Sequence, residues 1–320
     1  MPFPLLKALS FMLSIKTEDF MFHKKTSALL ICLLAIWLPV FAQTPVFDGE
    51  RAYQYLEKQC AFGPRNPGSA GHQQCLDYLV QTLEVSANQV RRQLFTLDDP
   101  KSSVEWPCAN VIASFGTQKD RILLCAHWDT RPWADNDPNP QNHETPILGA
   151  NDGASGVAVL LEIAELFKGN PPPVGVDIVL FDGEDAGVSG DNDTWCKGSD
   201  YFAKHLFFSQ KYSAAILLDM IGDADLEIPM EQHSLIYAPQ IVSRVYGIAR
   251  QLGVYQFVKK DGMAMIDDHL PLLRAGIPAI DLIDFDYPYW HTIEDKPDKC
   301  SAESLEAVGS VLMEFIYTYD

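Results

Sequence analysis

The sequence predicts an α/β fold, with a largely parallel central sheet covered by helices on both faces. Three observations carry this expectation. Short apolar runs of strand length, such as residues 122–126 and 176–181, carry no polar face and so read as strands buried on both sides. Stretches with helical spacing separate them, as βαβ units require. Acidic and imidazole side chains recur just past the apolar runs, where open α/β sheets bind their ligands.

The elements follow in order. Residues 48–59 place Tyr53, Leu56 and Cys60 on one helical face, and Gly63-Pro64 closes the segment. A second helix is expected over 69–83, with Cys75, Leu76, Leu79 and Leu83 facing inward. The first buried strand is 122–126. A helix at 157–167 follows Gly153 and Gly156. The strand at 176–181 sits between three prolines, Pro171 to Pro173, and Gly183. A helix at 201–207, a strand at 214–218, a helix at 241–252, a strand at 279–283 and a closing helix at 303–317 complete the pattern.

The first fifty residues differ. His23-Lys24-Lys25 precede an apolar run from 28 to 42 that ends Val40-Phe41-Ala42, the form of a secretory signal. The run is broken by Pro39 and is short of the roughly 20 residues a bilayer span needs. Residues 1–42 are therefore read as an upstream extension and signal peptide, with an uncleaved membrane anchor as the alternative. Residues 43–320 are read as a single catalytic domain. Removing 1–42 takes away four Lys and two acids and leaves a formal charge of −21, which repels nucleic acid. Export permits disulfides, and Cys60, Cys75, Cys108, Cys125, Cys196 and Cys300 leave the pairing open. Without a CxxC pair, a cysteine-based zinc site is not expected.

The chemistry concentrates in His127 and Asp129, Asp152, Glu184 and Asp185, Asp219, and His291. Each alone is weak, because an Asp after a strand more often caps a helix or forms a turn. Together they offer the nitrogen and oxygen ligands zinc takes, with a free carboxylate beside them for proton transfer. The adjacent carboxylates of Glu184 and Asp185 repel, and a cation gives a physical reason for their pairing.

In the order HWD (127–129), NDGASG (151–156), FDGED (181–185), LLDMIGD (217–223), DDH (267–269) and WHT (290–292), the chain resembles the zinc aminopeptidase superfamily that includes the glutaminyl cyclases. The match is nearest to the bacterial glutaminyl-peptide cyclases of animal-type fold. The resemblance implies a three-layer α/β/α sandwich with a mixed, largely parallel central sheet, zinc aminopeptidase-like. It implies one zinc ion per chain on Asp152, Asp185 and His291, with Glu184 as general acid/base. His127 and Asp219 match a second-metal position, which cyclases retain while turning Asp219 toward a neighbouring Asp, here Asp267. The peptidases carry Ser where Asp267 stands. Trp195, Trp290 and Phe285 are the expected substrate-binding wall, with Tyr287 beside them.

Two departures stand out: animal cyclases have Glu at the position of Asp185 and His at that of Asp281. The activity implied is conversion of N-terminal Gln of peptides and proteins to pyroglutamate, with release of ammonia. The implied setting is a monomer exported to the bacterial periplasm, soluble or attached to the inner membrane by its leader. A two-zinc aminopeptidase is the alternative, and a non-enzymatic binding ectodomain of the same fold a more distant one.

Overall fold

Alternation along the strands builds the centre of the molecule. In β3 (Asp120–His127), Ile122, Leu124 and Ala126 join one apolar cluster, while Leu123 and Cys125 join another on the opposite face. β4 (Gly175–Phe181) and β5 (Lys211–Asp219) divide in the same way, so the expected double burial of these runs is met. The computed structural model describes residues 44–206 and 211–319. The leader expected over 1–42 and residue 43 lie outside them. Among the described residues no helix is long and apolar enough to cross a membrane.

Two strands precede these in a stretch where the apolar pattern marks no element. β1 (Gln89–Asp98) and β2 (Glu105–Phe115) form an antiparallel hairpin, and β2 then pairs antiparallel with β4. β1 is a sheet edge whose residues are half-buried or exposed, and β2 carries Pro107 and the buried Asn110, which hides both from apolar periodicity. With β8 (Ala279–Ile283) the sheet runs β1-β2-β4-β3-β5-β8, and the pairs β4/β3, β3/β5 and β5/β8 are parallel. The sheet is thus mixed, as expected, with β2 as the antiparallel member.

Helices cover both faces. α1 (Gly49–Cys60), α2 (Ala70–Glu84), α3 (Ala154–Leu166), α6 (Pro239–Leu252) and α8 (Ala302–Tyr317) contribute to the larger apolar cluster. α4 (Lys197–Lys204) and α7 (His269–Arg274) contribute Phe202 and Leu272 to the smaller one. α4 begins four residues before the expected 201, because Tyr201 and Phe202 mark the middle of its buried face rather than its start. The short helix α5 (Gln232–Tyr237) and the pair β6 (Ile228–Met230) and β7 (Phe257–Asp261) were also unmarked by periodicity.

α3 is the central helix, buried from Ala154 to Ala164. It lies so close to the sheet that a β-carbon on Gly156 would stand 2.4 Å from the Leu218 carbonyl oxygen. That approach brings the start of α3 to the carboxyl ends of β3 and β5.

Candidate active site

The carboxyl ends of β3, β4 and β5 deliver His127, the segment Asp182–Asp185 and Asp219 to one rim of the sheet. Asp152 reaches the same rim from the turn before α3, where Gly153 holds φ 103°. A β-carbon there would meet the Asp129 carbonyl oxygen at 2.4 Å, so the turn requires glycine. His291 comes from the loop after β8. Its φ of 56°, with those of Met220 (47°) and Cys196 (57°), makes these the residues other than glycine with left-handed backbone among those described. All three lie at this rim, where the packing around them sustains the strain.

Buried acids hold the loops in place. Asp129 accepts from the backbone N–H groups of Glu184 and Asp185, both at 3.2 Å. Asp295 does the same for Asn151 (2.8 Å) and Asp152 (3.1 Å), and takes a third bond from the Tyr287 hydroxyl at 2.8 Å. The fully buried Arg65 donates to the carbonyls of Trp128, Leu148 and Gly149, tying the ends of these loops together. Arg131 donates to the Asp185 and Gly187 carbonyls and to both oxygens of Asp135. Asp135 in turn lies 3.3 Å from His291 Nδ1.

The side chains so held converge. His291 Nε2 lies 3.1 Å from Asp185 Oδ1 and 3.6 Å from Asp152 Oδ2. His127 Nε2 lies 3.2 Å from Asp152 Oδ1 and 3.1 Å from Asp219 Oδ1. Asp152 therefore joins two triads, Asp152/Asp185/His291 and His127/Asp152/Asp219, and either offers three ligand atoms within 4.8 Å of one another. A cavity of about 350 Å³ opens over them, lined by Asp152, Glu184, Asp185, Asp219, Asp267 and His291. Trp195, Trp290 and Phe285 form part of its wall. Trp290 stacks on the His291 ring at 3.9 Å between centroids and meets Phe285 at 4.8 Å, while Trp195 lies parallel to His291 at 6.0 Å.

Burial and the close approach of like and opposite charges set the electrostatics. Burial, then the charge of Asp185, pushes Asp152 up to about 7. Burial also holds Glu184 well above its ordinary value, against the pull of His127 and with the help of Asp185 and Asp267. Burial opposes a charge on His291, yet Asp185 and Asp135 outweigh it and raise the group to about 9. Asp152 Oδ2 and Asp185 Oδ2 are buried with no hydrogen-bond partner. Orphaned carboxylate oxygens, the raised proton affinity of Asp152 and an imidazole nitrogen beside them fit a divalent cation, and two carboxylates with one His are a donor set zinc takes.

A model of peptidase family M28 matches residues 110–316, which takes in both triads, Glu184 and the aromatic wall. The chain belongs to peptidase family M28. The M28 assignment accounts for the α/β/α layering and for the metal-binding rim. Among solved structures, the chain is 39% identical to Bacteroides thetaiotaomicron glutaminyl cyclase bound to N-acetylhistamine, covering 87% of this chain and 100% of that one, with a TM-score of 0.84. The same figures hold for a leucine aminopeptidase precursor from Bacteroides thetaiotaomicron. The glutaminyl-peptide cyclotransferase of Bos taurus is 23% identical over 245 residues, 66% of this chain and 66% of that protein.

The M28 chain brings together every side chain singled out in the sequence, with three refinements. Asp219 Oδ1 lies 3.1 Å from His127 Nε2 and shares the cavity lining with Asp267, whose charged neighbours include Asp219, Asp268 and Asp281. Tyr287 is buried and turned to Asp295, so it belongs to the scaffold and not to the substrate wall. All six cysteines from Cys60 to Cys300 are free, buried thiols. Sequence reasoning passed over Asp135, Arg131, Asp295 and Arg65, which support the site through other residues. Their signal was proximity alone, because Asp135 follows the HWD motif and Asp295 follows WHT by a few positions.

Proposed function

We propose that the protein is a zinc-dependent glutaminyl-peptide cyclotransferase, converting N-terminal Gln of peptides and proteins to pyroglutamate with release of ammonia. The observation that carries this reading is the agreement of two kinds of relative, a bacterial glutaminyl cyclase matched over its whole length and the glutaminyl-peptide cyclotransferase of Bos taurus. The equal match to the leucine aminopeptidase precursor keeps the peptidase as the alternative. The retained Glu184 beside the triad Asp152/Asp185/His291 agrees with it. When bound there, zinc supplies Lewis-acid polarisation of the γ-carboxamide oxygen.

The chain's own residues do the rest. The aromatic wall of Trp195, Trp290 and Phe285 holds the glutamine side chain folded back on its α-amine, so that this intramolecular attack starts from a productive conformer with water excluded. Glu184 takes a proton from the attacking amine and returns it to the departing ammonia. Burial raises its proton affinity, which strengthens the ionised carboxylate as a base and lets it hold the proton mid-reaction. Asp219 and Asp267 line the same pocket, and burial together with Asp219 holds Asp267 well above the ordinary carboxylate value, so it keeps its proton.

The reading assigns one zinc per chain, supported by Asp267 at a position where the peptidases carry Ser. It places the protein, as a monomer, in the periplasm, supported by the signal-like run ending at Ala42. Ammonia release from a Gln-initiated peptide tests the activity. Release of a free N-terminal residue without cyclisation would overturn it in favour of a two-zinc aminopeptidase, the reading that the second triad His127/Asp152/Asp219 favours.

A further inference from the structure

Glu184 has a partner outside the two triads that share Asp152. Cys196 is buried, and its Sγ lies 3.3 Å from Glu184 Oε1. Its backbone N–H donates to the Glu184 carbonyl oxygen at 3.2 Å, so one residue grips position 184 by main chain and side chain together. The grip requires the left-handed backbone of Cys196, φ 57°, which a residue with a β-carbon rarely adopts. Neighbouring bonds sustain it: Lys197 N–H reaches the Gly183 carbonyl at 3.3 Å, and Asp200 N–H reaches the Cys196 carbonyl at 3.0 Å.

Cys196 lies behind the base, not in front of it. It lines a neighbouring cavity bounded by Asp200, Lys204 and Arg274, whereas Glu184 faces the catalytic one. Burial and the Glu184 charge push the thiol well above its ordinary value, so it keeps its proton and is available as a donor. Among the described residues the Glu184 carboxylate makes no other side-chain hydrogen bond at Oε1.

We infer that Cys196 is a positioning residue, whose S–H donates to Glu184 Oε1 and so presents Oε2 to the nitrogen that gains and loses the proton. A buried thiol with this duty differs from an apolar filler in one respect: its place can be taken by another donor, but not by a methyl group. The inference rests on the reading of Glu184 as the base.

The test is steady-state ammonia release by the zinc-loaded full chain. Cys196→Ala is expected to lower kcat roughly tenfold at unchanged KM and zinc content, the scale of one hydrogen bond to a charged group. Cys196→Ser is expected to return kcat to within about threefold of the parent, since a hydroxyl donates to the same oxygen. Parent-level kcat in Cys196→Ala, or equal losses in both variants, overturns the inference. If Cys196→Ala does not fold, the S–H stretching band, isolated by subtracting the Cys196→Ser spectrum, gives the answer. It should move to higher frequency in Glu184→Gln, and an unmoved band overturns the bond. Full activity in Glu184→Gln would remove the base itself. An inactive Glu184→Gln beside a fully active Cys196→Ala would remove only the role of Cys196.

Discussion

The Asp135 carboxylate stands 3.3 Å from Nδ1 of His291, on the ring nitrogen opposite the one that faces Asp152 and Asp185. It is held there by both arms of Arg131. An imidazole whose Nδ1 proton is held by a carboxylate presents Nε2 as a lone pair in a fixed direction, which is what a metal ligand needs.

Asp135→Asn is therefore expected to weaken zinc binding by about 10- to 100-fold, the usual effect of removing a carboxylate behind a ligating His. Competition with a chelator measures it, and unchanged affinity would show that the ring is oriented by its aromatic neighbours instead.

Glu184→Gln keeps the shape of the base and removes its ability to take a proton. The turnover number should fall by about 10²- to 10⁴-fold, while metal analysis finds the zinc still bound. Substantial activity in this variant would exclude the proton-transfer role.

Asp129 uses one oxygen for the Glu184 amide and the other for the Asp185 amide. Asn offers a single acceptor, so Asp129→Asn frees one of the two and loosens base and ligand together. A fall in kcat on the order of tenfold is expected, with KM less affected. Equal changes in a remote substitution of similar stability cost would reduce this to general destabilisation.

Glu231 caps α5, accepting from the amides of His233 and Ser234 at 2.8 and 2.6 Å. Burial disfavours its charge, but the His269 ring 3.4 Å away and the bonds from these amides outweigh burial and lower its pKa from 4.5 to about 2. A carboxylate lowered on folding contributes stability that is present above its unfolded pKa and is lost as pH falls from about 4.5 toward 2. Glu231→Gln should cost roughly 2 kcal/mol at pH 7 and little near pH 2. Urea midpoints of both proteins across that range decide it, and a pH-independent difference would refute the linkage.

Cleavage after Ala42 would expose Gln43, itself a substrate for the proposed reaction. Intact mass of the exported protein is expected to show loss of one ammonia at that end. An unmodified Gln43 in active enzyme would contradict the prediction.

Much of the fold was legible because the buried parallel strands and the helices on them write their burial directly into apolar spacing. Strand Ala279–Ile283 lies where the pattern places it, and β3, β4 and β5 extend the expected runs by a few residues. β1 and β2 were not legible, since an edge strand alternates only weakly and Pro107 and Asn110 interrupt the apolar signal in its partner. At the site, the candidate ligands and base, Asp152 before α3, Glu184 and Asp185 after β4 and His291 in the loop after β8, were visible in order along the chain. Asp135, Asp295 and Cys196 were not, because each acts on a residue that is distant in sequence or reached only through a turn.

Residue order along the chain is enough to show which side chains could bind a metal and move a proton, and that most of them follow apolar runs of strand length. That much is written in local periodicity. How those groups are held is a property of the folded chain: that Asp152 joins both triads, that Asp219 lies against His127, that Tyr287 supports rather than lines the pocket, and that a thiol stands beside Glu184. Hydrogen-bond direction depends on distances of a few tenths of an ångström between segments far apart in the chain, and no spacing of residues encodes that.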